Sequence, residues 1–260
     1  MANLTPEEVF RGIIDGSIEE ISEDALDNLA SIAAHRLRGC TSLKEFLAHN
    51  MVTVNQYAFY GCAALEAVDI SKVTRAYNYA FSNCTSLKEA VMEKDAISGG
   101  SCMNVFAGCT NLERAYTPEI RLEYASNTFN NCTKLKKLCL PKATRLHGHN
   151  WSGCSALEVV DIKAPTNGTG DHFSNCSSFN KLIIRKTGGV FALGGTSYFN
   201  STPFAAGGSG GTLYVPSALI ASYEAATNWS TVLGRANNSI EAIEGSEYEY
   251  YYADGTPIES

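Results

Sequence analysis

The chain has 260 residues, 45% of them hydrophobic and 18% charged, which is enough apolar material for a sizeable core and ordinary for a soluble globular protein. Its formal charge of -7, with 20 Lys and Arg interspersed among 27 acids, argues against a nucleic-acid partner, because phosphate neutralisation needs clustered bases. No stretch approaches 18 consecutive apolar residues, so no membrane insertion is expected, and Met1-Ala2-Asn3-Leu4-Thr5-Pro6-Glu7-Glu8 has neither the basic start nor the apolar run of a secretory signal. Read by itself, that N-terminus predicts a chain that stays in the cytoplasm.

Thr5 to Asp15 reads as a short helix. Thr5 is a capping hydroxyl, Pro6 takes the first position, where its missing N–H is harmless, and Glu7 and Glu8 face the positive end of the helix. This segment, residues 1–16, is expected to act as a helical cap over the N-terminal end of the fold. A degenerate unit then runs from Ser17-Ile18-Glu19-Glu20-Ile21 through Leu29 and Ile32 to Leu37.

A repeat begins there. Leu37-Arg38-Gly39-Cys40-Thr41-Ser42-Leu43 is followed by Phe59-Tyr60-Gly61-Cys62-Ala63-Ala64-Leu65, and the pattern returns around Cys84, Cys109, Cys132, Cys154 and Cys176 at intervals of 22, 22, 25, 23, 22 and 22 residues. The residue before each cysteine is Gly or Asn, the two types that best tolerate positive φ, so each unit is expected to end a short helical turn in a left-handed cap. After the cap, apolar residues alternate, as in Leu65, Val68 and Ile70 or Leu135, Leu138 and Leu140, which predicts short strands pairing in parallel from unit to unit. The fold class expected is an α/β solenoid: a leucine-rich-repeat stack over residues 17–190 with a parallel sheet and short helical turns.

Beyond the repeats, Gly194-Gly195 and Gly207-Gly208-Ser209-Gly210-Gly211 bracket what reads as a loop too flexible for a regular unit. A strand at Thr212 to Val215 and a helix at Ala218 to Trp229 are expected to close the far end within a capping segment, residues 191–246. Residues 247–260 form a Tyr-rich tail that suits a hairpin or an adhesive edge before its Asp254-Gly255 turn signal.

The string Phe-x-Gly/Asn-Cys-x-x-Leu, preceded in its second copy by Val54-Asn55-Gln56-Tyr57-Ala58-Phe59, resembles the BspA-like (Treponema pallidum type) leucine-rich repeats of bacterial surface proteins. The likeness covers roughly Ile18 to Ile184 and continues into Leu213-Tyr214-Val215-Pro216 and Asn228-Trp229, which resemble the terminal segment of that family. It implies adhesion or host interaction at the cell surface or outside the cell, and supplies no residue-level binding motif. The Pro that usually follows the family's strand is kept here only at Leu140-Pro141.

Candidate chemistry is sparse. The seven repeat cysteines are expected to stack inside as small hydrophobes, while Cys139, between inward Leu138 and Leu140, should be accessible. His147, His149 and His172, with Asp171 the only nearby acid, could offer imidazoles to a metal, but they have no supporting carboxylate shell. No hydrolase elbow, phosphate-binding loop or zinc-protease helix occurs, so neither an enzyme nor a cofactor is expected. Asn83-Cys84-Thr85, Asn131-Cys132-Thr133 and Asn175-Cys176-Ser177 match the glycosylation triplet, but as buried caps they should leave no room for a glycan.

The surface expected to meet a partner is the outward row of the sheet: Glu45, Asp69, Glu89, Arg114, Tyr116, Lys137, Asp161 and Lys181. Mixed charge interrupted by apolar or aromatic residues suits a protein or glycan ligand better than a polyanion. The alternative is a structural or assembly protein, for example virion-associated, that joins subunits through its ends and tail.

Overall fold

A computed structural model describes residues 5–21, 29–92, 103–116, 126–140, 146–147, 149–163, 167–169 and 171–250. They form a stack of parallel rungs. A helix, Pro6–Asp15, covers the first rung; Thr5 and Glu8 close its start as a reciprocal capping box, and Gly16 ends it in the left-handed region (φ 82°). Val9 and Ile13 on this helix are fully buried against the core.

In the first rungs and again farther on, a rung contributes two strands, so parallel sheets lie on two sides of the stack. The repeat strands build a seven-stranded parallel sheet ordered Ser239–Ala242, Thr212–Val215, Lys181–Ile184, Val159–Ile162, Lys137–Leu140, Arg114–Tyr116 and Glu89–Val91. Ahead of it, Glu20–Ile21, Glu45–Phe46 and Ala67–Val68 pair in the same manner. The second side has Ser31–Ile32, Thr53–Val54 and Arg75–Ala76 near the start, and Leu146–His147, Asn167–Thr169 and Ala192–Leu193 farther on. The repeat spacing predicts only the first of these sides.

The turns are tighter than a helix. Within one turn the amides alternate. Tyr57, Phe59 and Gly61 donate to Asn78, Ala80 and Ser82 of the next rung, while Ala58, Tyr60 and Cys62 donate back to Asn55, Tyr57 and Phe59. In the first five turns this alternation goes with left-handed backbone at two positions, as at Tyr57 (φ 57°) and Gly61 (φ 71°). The sequence marks only the second position; the first is held by His35, Tyr57, Tyr79, Asn104 and Asn127. A bulky side chain in that region costs roughly 1–2 kcal/mol.

Beneath the turns, Phe59, Phe81, Phe106 and Phe129 stack nearly face to face, with centroids 5.1, 5.4 and 5.5 Å apart. Trp151 stacks on Phe173 at 5.3 Å. Each repeat thiol reaches one rung back: the Sγ atoms of Cys84, Cys109 and Cys176 lie 3.1 Å from the carbonyls of Phe59, Phe81 and Trp151, which already accept the N–H of their own rung's cysteine. Cys40 binds the Ile13 carbonyl in the same way, tying the first rung to the capping helix. The cysteine is therefore a small core residue that also supplies a weak donor to a carbonyl lone pair no other group reaches.

The Gly-bracketed stretch corrects the expectation of a flexible loop. Phe199-Asn200-Ser201-Thr202 is a further copy of the repeat turn, with Ser201 left-handed (φ 57°) and Thr202 in the cysteine position, its hydroxyl 2.7 Å from the Phe199 carbonyl. The glycines serve close packing. A Cβ on Gly208 would lie 2.2 Å from the Pro203 carbonyl oxygen, and one on Gly211 would lie 2.5 Å from the Phe204 ring. Farther on, the expected single helix is split into Ile220–Ala225 and Trp229–Leu233 because Asn228 between them is left-handed (φ 66°). Strand Ser239–Ala242, unpredicted, pairs outside Thr212–Val215. Among the described residues no helix is long and apolar enough to cross a membrane.

Burial pushes the thiols of Cys109 and Cys176 up to about 12 and raises those of Cys84, Cys132 and Cys154 as well. Since the thiolate is the reactive form, the native protein at pH 8 should leave these five, with Cys40 and Cys62, unlabelled by iodoacetamide, whereas guanidinium should expose all of them. Peptide mapping by mass spectrometry reads this directly. Rapid native labelling of any repeat cysteine would contradict the thiol ladder.

Candidate functional site

The register fixes the outward rows. Glu89, Arg114, Lys137, Val159 and Lys181 stand opposite one another in one row, and Val91, Tyr116, Cys139, Asp161 and Ile183 in the next. Of the residues expected to face a partner, Glu89, Arg114 and Lys137 are exposed neighbours, and none forms an ion pair with a described residue. Tyr116 pairs with Cys139 through its backbone; its side chain lies outside the described residues. Glu45 is half-buried in an earlier rung. Asp69 is turned toward its own loop: burial pushes its carboxyl up, but the Ser71 hydroxyl at 2.7 Å, the Ser71 N–H at 2.9 Å and His49 outweigh that and leave it below the usual range.

Around Glu89, Arg114 and Lys137 lies an open depression of about 370 Å³, also lined by Glu113, Ala115 and Lys136. Glu113 and Lys136 were not anticipated, although the signal is present: they follow the consensus leucines directly. That column reads Glu19, Lys44, Glu66, Lys88, Glu113, Lys136 and Glu158, alternating in sign from rung to rung. Lys44 pairs with Glu19, and Lys88 with Glu66 at 2.5 Å; each lysine is held above its usual range by its partner. The alternating column neutralises itself. The adjacent row segregates its charges, with Glu89 beside Arg114 and then Lys137.

The far half of the face is closed, which corrects the expectation for Cys139 and removes Asp161 from the accessible row. The chain after Ser239–Ala242 crosses back over the sheet, and Ile243 and Tyr248 pack on Cys139, Val159, Ile183 and Tyr214, leaving Cys139 only 1% exposed. Asp161, also 1% exposed, receives two N–H groups of Arg185 at 2.8 Å each, and a third reaches the Tyr248 carbonyl at 2.7 Å. Lys181 donates to Glu247 and to the Tyr248 hydroxyl at 3.2 Å each. The Tyr248 hydroxyl and Glu247 hold that ammonium well above its usual range. Residues 247–250 of the expected free tail thus form a strap on the chain's own sheet; residues 251–260, with Asp254-Gly255, lie outside the described residues.

Among the described residues no three metal-ligating side chains gather. His172 is buried between the rings of Trp151 and Tyr198 (5.6 and 5.2 Å), while His149 is exposed; the His147 side chain lies outside the described residues. The three glycosylation triplets place Asn83, Asn131 and Asn175 in exposed positions, contrary to the expected buried caps. After Asn83 and Asn131 the next rung has Gly, and a Cβ on Gly108 or Gly153 would lie 2.2 or 2.1 Å from the Asn83 or Asn131 Oδ1; after Asn175 the next rung has Ser201.

Two variants test the strap. Removing residues 244–260 should raise the labelling rate of Cys139 at least tenfold while leaving the repeat cysteines protected, because only Cys139 lies beneath it. Asp161→Asn leaves Arg185 uncompensated and should destabilise the protein by about 3 kcal/mol in denaturant melts. Cys139 labelling that is unchanged by the deletion would remove the strap as its cover.

Comparison with known proteins adds the family. The model of the BspA-type leucine-rich-repeat region matches residues 7–103 and 102–202, in six copies. A leucine-rich cell surface protein from Faecalibacterium prausnitzii is similar at 15% identity and TM-score 0.48 over 94% of this chain and 86% of that one. A leucine-rich-repeat protein from Bacteroides ovatus is similar at 13% identity and TM-score 0.24 over 83% and 88%. Among curated proteins no sequence matches. With its repeat turns, thiol column and parallel rungs matched over most of its length, the chain belongs to the BspA-type leucine-rich-repeat family.

Proposed function

We propose that the chain is a non-enzymatic recognition module that binds a protein or glycan through the open, N-terminal half of its outward sheet face. One observation carries the reading: Glu89, Arg114 and Lys137 meet, without ion-pair partners among the described residues, in a depression of about 370 Å³ on a rigid sheet. Opposite charges side by side select a ligand with matching polarity. The same reading puts the module at a bacterial cell surface or outside the cell, the setting implied by the family resemblance, and requires no cofactor.

Assembly through the tail finds less support, since Glu247 and Tyr248 are already engaged with Lys181 and Arg185. The test is a panel of purified extracellular proteins and neutral and charged oligosaccharides, screened with the full chain and with Arg114→Glu combined with Lys137→Glu. The expected outcome is a hit whose affinity falls roughly a hundredfold in the variant, the loss of two charge-assisted contacts. Hits that bind the variant equally well would place recognition elsewhere.

A further inference from the structure

The turns of the first rungs carry a second surface of different chemistry. Residues 33–39, 55–61 and 77–83 include no Asp or Glu, in a chain with 27 acids. His35 and Arg38 are exposed there, and Tyr57, Tyr60 and Tyr79 are half-buried. His35 stacks on Tyr57 at 4.9 Å, and Tyr57 on Tyr79 at 4.8 Å with the rings 3° from parallel. Tyr60 meets Tyr57 edge-on at 5.4 Å, and the Arg38 guanidinium sits 5.2 Å from the centroids of both.

His35, Tyr57 and Tyr79 all occupy left-handed backbone (φ 60°, 57° and 57°), where later rungs use Asn104 and Asn127 (φ 58° and 56°). Asn suits that conformation and a bulky ring does not. The core does not demand the rings, because the Phe stack beneath is complete without them. Side chains kept in an unfavourable conformation at a partly exposed site point to a role in binding.

We propose that this ridge binds acidic oligosaccharides, with Arg38 receiving the anionic group and the Tyr57, Tyr60 and Tyr79 edges meeting sugar hydroxyls. The anion follows from charge: the turn segments contribute no carboxylate of their own, Glu7 of the capping helix is taken up by Arg36, no described carboxylate pairs with Arg38, and two Tyr rings hold its guanidinium ready as a planar fork. A saccharide fits better than a peptide. The turn amides are spent on the next rung, as Tyr57 N–H on the Asn78 carbonyl at 3.1 Å and Tyr79 N–H on Met103 at 3.0 Å, so these turns have no backbone edge to which a strand could add. This inference stands apart from the sheet-face reading, because the two surfaces share no residue.

The full chain is titrated by calorimetry with a sulfated heparin-derived oligosaccharide and with an oligogalacturonate. A neutral gluco-oligosaccharide and poly-Glu serve as comparators. At least one acidic oligosaccharide should bind, more weakly as salt rises, and whichever does identifies the group as sulfate or carboxylate. Arg38→Gln, and separately Tyr57→Asn with Tyr79→Asn, should each weaken binding roughly tenfold or more, while the Asn pair leaves the unfolding midpoint unchanged or raised. Failure of both acidic oligosaccharides to bind, or binding indifferent to these substitutions, overturns the proposal. Equal binding of poly-Glu makes the ridge a peptide site and overturns the saccharide assignment. Loss on Arg114→Glu with Lys137→Glu, but not on the ridge variants, puts the ligand on the sheet and leaves the previous reading intact.

Discussion

Every second amide in the turn of each rung is committed to the rung above, and the rest of the structure depends on that commitment. A chain bending this tightly would normally leave half its turn N–H groups without partners in a buried setting, at a penalty of about 1–3 kcal/mol each. In the first five turns two left-handed residues rotate the alternate amides along the stack, where Phe59 N–H meets the Ala80 carbonyl and Gly61 N–H meets Ser82. The carbonyls that point inward then have a spare lone pair, and the thiol of the next rung covers it, as Cys84 covers Phe59. Serine would bring a stronger donor but less apolar volume, and alanine no donor. Cysteine meets both demands, which accounts for its recurrence better than size alone.

Because the turn fixes the rise of each rung, residues at one repeat position form straight columns, and the outer surface is best understood column by column. The column after the consensus leucine alternates Glu and Lys and so cancels its own field. The neighbouring column does not, passing from Glu89 to Arg114 and Lys137, and among the described residues none of these three forms an ion pair. The turn column changes from rings to amides between Tyr79 and Asn104. Both proposed binding surfaces lie where a column departs from its own regularity.

The same distinction explains what was legible in the sequence. The seven cysteines, their Gly or Asn partners and the Thr5-Pro6 helix start are local signals: the first two place the repeat turns and their left-handed caps, though as turns tighter than the expected helix, and the last predicts its helix correctly. The second sheet escapes because strands of two residues, such as Thr53–Val54, are too short to show a period. The first left-handed position escapes because His and Tyr are poor markers of it. Phe199-Asn200-Ser201-Thr202 is hidden by Thr at the cysteine position and by glycines that read as slack but are there for lack of room. For the site, the sequence places Glu89, Arg114 and Lys137 in one row, and the register agrees. It misplaces Cys139 and Asp161 because their cover, Ile243 and Tyr248, lies far along the chain and carries no repeat signature.

That cover decides how the face can be used. A buried ion pair such as Asp161 with Arg185 adds little net stability, because desolvation offsets most of the attraction. Its contribution is geometric. With two N–H groups fixed on Asp161, Arg185 can aim its third at the Tyr248 carbonyl, and Lys181 holds the same residue from the other side through its hydroxyl. The strap is thereby kept in one place over rungs whose outward residues, Cys139, Val159 and Ile183, would otherwise form an exposed apolar patch. A ligand approaching the sheet therefore meets apolar surface already covered at one end and open charge at the other. On the proposed sheet-face reading, a ligand gains the charge-assisted contacts at Arg114 and Lys137 without first displacing the strap, which confines that mode of binding to the N-terminal half.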